Sequence, residues 1–364
     1  MLLLRSVRTL GFCSIPHHTL LPRLAFAPMS TSPVAKKMKS TKIIGTHSGT
    51  FHCDEALAVF LLRLTDQFKD ADLVRTRDPA KLEPLDIVVD VGGVYDPAKE
   101  RYDHHQRGFN EVFGHGFNTK LSSAGLVYKH YGKHIIARTL DVAEDEAQVH
   151  TLWLQLYSEL IESIDAIDNG INIADGPLKY NQRSDLSSRV RRLNPRWNEP
   201  ASGDDYDAKF AIASKMTGEE FLQQLDYFAN AWLPARDIVA AALATRKEVD
   251  PSGQIVVFKQ SAPWKDHLFS IEPTLQPPAK ILYVLYPENP EKEDSKWRIQ
   301  CVPESPDSFV NRLSLPEAWR GVRDADLDKV TGIPGGVFCH ASGFIGGHTT
   351  YNGVLAMARA ALCQ

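Results

Sequence analysis

Cysteine is scarce in this chain: five in 364 residues (Cys13, Cys53, Cys301, Cys339 and Cys363), with no CxxC pair. That excludes a disulfide framework and a zinc ribbon, and fits a reducing compartment or the mitochondrial matrix. No run approaches the roughly 18 to 20 apolar residues that span a bilayer, which excludes an integral membrane protein. No internal repeat and no long low-complexity tract is present, so solenoids and fibrous arrays drop out as well. Acid is missing from one place only. The first 50 residues hold Arg5, Arg8, Arg23, Lys36, Lys37, Lys39 and Lys42, and the first carboxylate is Asp54.

An acid-free leader with arginines, hydroxyl residues and short leucine runs reads as a mitochondrial transit peptide over residues 1–40. Lys36-Lys37-Met38-Lys39 could instead serve nuclear import, giving a nuclear or nucleolar share. The net charge is −4, and without those seven cations the body stands near −11. A body this acidic is not a DNA-coating protein, so nucleic-acid contact has to come from a local basic groove or a metal site.

Past the leader, short β-branched runs alternate with helical periodicity. Lys42–His47, Leu73–Thr76 and Asp86–Val91 read as strands; Asp54–Leu64, Ser122–Tyr131 and Asp145–Asp168 read as helices, the last capped at Asn169-Gly170. The alternation predicts an α/β fold, with an N-terminal parallel sheet over residues 41–200. Lys179–Lys215 reads as polar loop, and 201–250 as a helical connector broken at Pro234. Strand-like runs at Ile255–Phe258, His267–Ile271, Ile281–Tyr286 and Trp297–Val302, then Phe338–Ile345 and a final helix near Val354–Leu362, predict a smaller α+β domain over 251–364.

Four clusters carry chemistry. His47, His52 and Asp54 follow the first strand, where open α/β sheets place their ligands. Asp90 ends an Ile-Val-Val run, a costly place for a carboxylate unless it is paired or bound. Asp103-His104-His105 puts two imidazoles on alternate sides of an extended segment, with an acid able to orient one of them. Asp165 and Asp168 share a face at a helix C-terminus, opposing the helix dipole, which points to a cation partner. A fifth element, Gly346-Gly347-His348 before the last helix, suggests backbone N–H groups approaching a phosphate. Arg189, Arg191 and Arg192 offer further phosphate contacts or a solvated basic face.

The order of these clusters resembles the DHH phosphoesterase superfamily of nucleases and family II pyrophosphatases. More closely, THSGTFHCDEALA, RTRDP, DIVVDVGG, YDHHQR, TKLSSAGLVY, IDAIDNG, RLNPRWN, DPSGQIVV, WRIQCVP and HASGFIGGH resemble the melanocyte proliferating gene product family, over roughly residues 42 to 362. That resemblance implies a mitochondrial and nuclear exonuclease of 3′-to-5′ polarity on single-stranded RNA, DNA being the alternative polymer. It implies a DHH-type first domain with two divalent metals held by His47, His52, Asp54, Asp90, His104 and Asp168. Asp103 and His105 would be catalytic, and Gly346, Gly347, His348, Arg189 and Arg192 would bind substrate. His52 stands where the wider superfamily has a carboxylate, so the nitrogen-richer site should favour Mn²⁺ over Mg²⁺. Other readings are a small-molecule phosphohydrolase acting on pyrophosphate or short oligonucleotides, a single-zinc hydrolase using His47, His52 and Asp54, and a non-catalytic binding factor. The sequence does not separate a monomer from a homodimer.

Overall fold

The computed structural model describes residues 42–364; the expected leader, with its transit peptide and nuclear-import patch, lies outside the described residues. The β-branched runs form strands as their composition dictates. β1 (Ile43–Thr46), β2 (Asp72–Arg75), β3 (Ile87–Val89), β4 (Tyr95–Asp96) and β5 (Arg101–Tyr102) build one sheet in the order β2-β1-β3-β5-β4. Every pairing in it is parallel except β4 with β5 at the edge. The carboxyl ends of β1, β3 and β5 therefore open side by side, and all three carry the expected site residues just beyond them.

Behind this sheet lies α1 (Cys53–Arg63), with nine of its 11 residues buried, so it is a core helix and not a surface one. It packs against the helix Ser123–Leu140 on one side and the long helix Gly203–Tyr227 on the other. The second crossing needs a glycine: a Cβ on Gly218 would sit 2.0 Å from the Phe60 ring. The expected helix over Asp145–Asp168 runs without a break in the chain from Ala147 but carries a π turn at Tyr157–Ile161 between Ala147–Leu156 and Glu162–Asp168.

Two readings of the sequence are corrected in the middle of the chain. The stretch taken as loop contains the helix Leu186–Arg191 and the start of Gly203–Tyr227. The second begins at a capping box, Ser202 with Asp205, and buries Phe210, Ala213 and Thr217 at helical spacing. Residues Lys265–Ile271 form a helix where a strand was expected. Including Trp264 explains it, since Trp264 and Leu268 are both buried and stand one helical turn apart.

β6 (Val112–Gly114) and β7 (Phe117–Lys120) pair as an antiparallel hairpin. The second sheet holds β8 (Ile255–Val257), β9 (Tyr283–Pro287), β10 (Trp297–Cys301), β11 (Gly336–Cys339) and β12 (Ile345–His348), in the order β11-β12-β10-β9-β8. Alternation along β9 serves two faces. Tyr283 and Leu285 join Val354, Met357 and Ala358 of the last helix, while Val284 joins Val239, Leu243 and Leu268 on the other side. Among the described residues no helix is long and apolar enough to cross a membrane.

Candidate metal centre

Three strands of the first sheet each deliver one piece of the centre. β1 leads directly into His47, β3 into Asp90, and β5 into Asp103-His104-His105. The first turn of α1 adds Asp54 and Glu55, and the helix Glu162–Asp168 adds its last residue. Asp90 takes the left-handed backbone conformation, φ 57°, a strained choice for a side chain that a site must aim. Its two oxygens then divide between two imidazoles. Oδ2 lies 3.2 Å from His47 Nε2, and Oδ1 lies 3.3 Å from His104 Nε2. Glu55 Oε1 closes on His47 Nε2 at 3.1 Å, and Asp168 Oδ2 on His104 Nε2 at 3.1 Å.

Hydrogen-bond accounting makes this arrangement unusual. Asp54 Oδ1 and His104 Nδ1 are buried without a hydrogen-bond partner, and Asp90 Oδ1 and His104 Nε2 meet their neighbours only as ion-pair contacts, not in hydrogen-bond geometry. Buried polar atoms are nearly always satisfied, and four such atoms in one place are what a cation would satisfy. The donors fall into three groups of mutually close atoms: His47, His52, Glu55 and Asp90; Asp90, His104 and His105; His52, Asp54 and Asp168. All six expected ligands are thus brought together, with Asp90 common to two groups and His52 to two. The donor set, imidazole plus carboxylate, suits a divalent transition metal.

Supporting contacts hold the donors in place. Asp103 Oδ1 accepts from the backbone N–H of His105 at 3.0 Å and contacts His105 Nδ1 at 2.8 Å, while its Oδ2 accepts from the Gly93 N–H. Burial pushes the Asp103 carboxyl up, but these hydrogen bonds outweigh it and hold it below the usual range. That leaves an anion that orients His105 and raises its imidazole. Asp54 Oδ2 accepts from Ser123 Oγ at 2.7 Å. Asp165, read beside Asp168 as facing a cation, is instead fully buried behind the site, accepting from Ser122, Gly125 and Tyr157. A Cβ on Gly125 would fall 2.2 Å from its carboxylate, so this helix crossing also requires glycine.

Two clefts meet at the cluster, sharing His52 and His105. One, of about 300 Å³, adds Asp168, Ser187, Ser188 and Arg191. The other, of about 250 Å³, adds Asp90, Gly92, Gly93 and Arg77. Arg77 Nη2 stands 3.0 Å from His47 Nδ1, and its Nε donates to Ser48 O at 3.3 Å. Sequence reasoning missed Glu55 and Arg77. Glu55 also accepts from the His52 N–H at 2.9 Å, the signature of a helix cap, which hides its second role.

Of the three neighbouring arginines, Arg191 faces a cleft. Arg189 reaches Glu220 at 3.4 Å and Arg192 donates to the Arg183 carbonyl at 2.8 Å, so of the expected substrate pair neither lines a cleft. Arg191→Ala should raise the KM for a phosphodiester roughly tenfold, the loss of one charge-assisted hydrogen bond. Arg189→Ala should change it less than twofold; equal effects in steady-state assays would refute the distinction. The Gly346-Gly347-His348 element also departs from expectation. It lies inside β12, paired with β10 and β11 on both sides, and not at a helix N-terminus. His348 is buried, with Nε2 at 2.9 Å from Pro334 O and Nδ1 accepting from the Thr350 N–H, and lines neither cleft.

The sequence model of MYG1_exonuc, described as "Uncharacterised protein family (UPF0160)", matches residues 43–362. The chain belongs to the MYG1 family. Human MYG1 exonuclease is 52% identical over 335 residues, covering 90% of this chain and 88% of its own length. Mouse MYG1 exonuclease is 50% identical over 343 residues, 91% and 89% of the two chains. A MYG1 protein of Saccharomyces cerevisiae is 42% identical over 340 residues, 92% and 99%. No solved structure matches. The MYG1 match bears out the family resemblance and does not extend to the DHH superfamily.

Proposed function

We propose that this chain is a metal-dependent exonuclease of DHH type that removes nucleotides from the 3′ end of single-stranded RNA with two divalent ions. The observation that carries the reading is Asp90, whose two oxygens face two different imidazoles within a set of unsatisfied buried donors. Relatives named MYG1 exonuclease support the nuclease part. His47, Glu55 and Asp90 would hold one ion, and Asp90, His104, Asp54 and Asp168 the other, with His52 between them. Bound there, the ions would supply a nucleophilic water and charge stabilisation at the phosphorus. Histidine-rich ligation favours Mn²⁺.

The remaining steps belong to the chain's own residues. Arg77 and Arg191, one in each cleft, neutralise phosphate oxygens as the strand crosses the cluster. His105, held by Asp103, carries a proton to the leaving oxygen. Clefts of 250 to 300 Å³ suit about one nucleotide each, which fits stepwise removal from a strand end. The first sheet would do the chemistry and residues 251–364 would guide the strand. The leader would direct the protein to the mitochondrial matrix, with a nuclear share.

Digestion of 5′-labelled single-stranded RNA and DNA with Mn²⁺ tests this, on protein lacking residues 1 to 40. A ladder shrinking from the 3′ end of RNA, absent for His104→Ala, is the expected result. Equal loss of DNA would correct the polymer, and a marked preference for two- to five-nucleotide substrates would move the reading to oligonucleotides. Full activity in His104→Ala would sink it.

A further inference from the structure

The folded body is acidic, yet one stretch beside the centre is not. From Lys179 to Trp197 the chain carries six cations (Lys179, Arg183, Arg189, Arg191, Arg192 and Arg196) against one acid, Asp185. Two aromatic rings stand in solvent within it: Tyr180 is 76% exposed and Trp197 97% exposed. Tryptophan is among the more buried residue types, and an almost fully hydrated one has no packing role in the fold. The stretch is nonetheless fastened to the centre. Arg191 lines the cleft that holds His52, His105 and Asp168. Asn194 grips the loop that presents His52: its Oδ1 accepts from the Phe51 N–H at 3.0 Å, and its Nδ2 donates to Phe51 O at 2.9 Å. Trp197 lies three residues beyond this clamp, within about 11 Å of Asn194 even if the chain is fully extended. On the other side, Arg192 ties the Arg183 carbonyl to the same short helix, bringing the approach from Tyr180 alongside.

Cations interleaved with exposed rings are how proteins hold single strands without reading sequence, since every base offers a face for stacking and every linkage a charge. We propose that residues 179–197 are a seat for single-stranded nucleic acid leading into the metal centre, with Trp197 stacking on a base and Arg183 and Arg191 meeting flanking phosphates. This deepens the exonuclease reading and rests on it for the direction of the strand, but the seat binds whether or not hydrolysis follows. The choice of occupant follows from charge: a net-positive strip with two rings, on a body (residues 41–364) of net charge −10, fits a polyanion of stackable units and not an acidic or apolar protein face.

The test is binding in EDTA, where nothing is hydrolysed. The probe is the full chain with fluorescein-labelled oligouridine or oligothymidine of about 12 nucleotides, within the span such sites occupy. Trp197→Ala should weaken binding about tenfold, the loss of one stacked base. Trp197→Phe should recover most of it, because a ring remains. Phe309→Ala removes another fully exposed ring elsewhere on the surface and should leave binding within about twofold. Comparison of the two oligomers tells which sugar the seat prefers. Wild-type affinity in Trp197→Ala, equal losses in Phe309→Ala, or no binding by the wild type would overturn the proposal. A protein that binds through Trp197 yet releases no nucleotide with Mn²⁺ would keep the seat and remove the exonuclease reading. One that degrades RNA while Trp197→Ala binds normally would do the reverse.

Discussion

Asp90→Asn is expected to lower metal-dependent hydrolysis roughly 10³-fold, a loss of the size seen when a charge-stabilising group is removed from an active site. Metal content per chain should fall to half the wild-type value or less. The reason is that Asp90 alone serves both imidazoles, at 3.2 Å and 3.3 Å, so neutralising it withdraws charge from two groups of donors at once. Asparagine keeps the shape and is tolerated at the positive φ of this position, so the fold should survive. Asp165→Asn is the informative contrast. Its carboxylate accepts four hydrogen bonds from the Ser122 backbone and hydroxyl, Gly125 and Tyr157, and belongs to none of the three donor groups. That variant should lose stability while binding metal at the wild-type ratio. Metal analysis and turnover on the same preparations separate the two. Asp90→Asn retaining a tenth or more of the activity would place the chemistry elsewhere.

The centre was legible because its residues break local rules. An acid ending Ile-Val-Val, paired histidines after a short strand, and Asp168 at the wrong end of a helix each signal a charge awaiting a partner. The parallel sheet was legible from alternation of strand and helix, and it is the sheet that brings three distant clusters to one edge. What stayed hidden obeys local rules. Glu55 looks like an ordinary helix cap because it also is one. Arg77 is the second arginine of RTRDP, in the loop just past β2, with no periodicity to betray its direction. For Arg189, Arg191 and Arg192 the composition was plain but the phase was not: on a helix of six residues the register depends on its N-cap, Asp185, which accepts from the Ser188 N–H. The hairpin Val112–Gly114 with Phe117–Lys120 went unread although His115 and Gly116, both at positive φ, make the turn that joins it. The position of Gly346 and Gly347 was hidden for the opposite reason. Two glycines before a helix resemble a phosphate loop, but here Gly347 lets Arg298 and Phe338 of the flanking strands close over the middle of a sheet.

Raising the pH should destabilise the metal-free protein, and divalent metal should rescue it increasingly as the pH rises. Burial lowers the His104 imidazole, but the carboxylates of Asp168 and Asp90 outweigh that and lift it to about 10. Its stabilising contribution is therefore complete below the ordinary histidine range and is lost as pH climbs toward 10. The buried acids act in the same sense. Burial raises Glu55 to about 8 and Asp165 to about 7, and raises Asp54 as well. A carboxyl that ionises later in the folded state than in the unfolded chain favours unfolding as pH rises between the two values, here from about 4 to 8. Melting temperature in EDTA should accordingly fall between pH 6 and pH 9. Protons and metal compete for the same atoms, so deprotonation that costs the metal-free protein its stability prepares the ligands for Mn²⁺. At 100 times its dissociation constant an ion contributes about 2.7 kcal/mol, on the order of 5 °C in a domain of this size. The gain should be small at pH 6 and largest near pH 9, and His104→Ala should flatten the dependence. A melting temperature indifferent to Mn²⁺ at every pH would show that the buried donors serve the fold and not an ion.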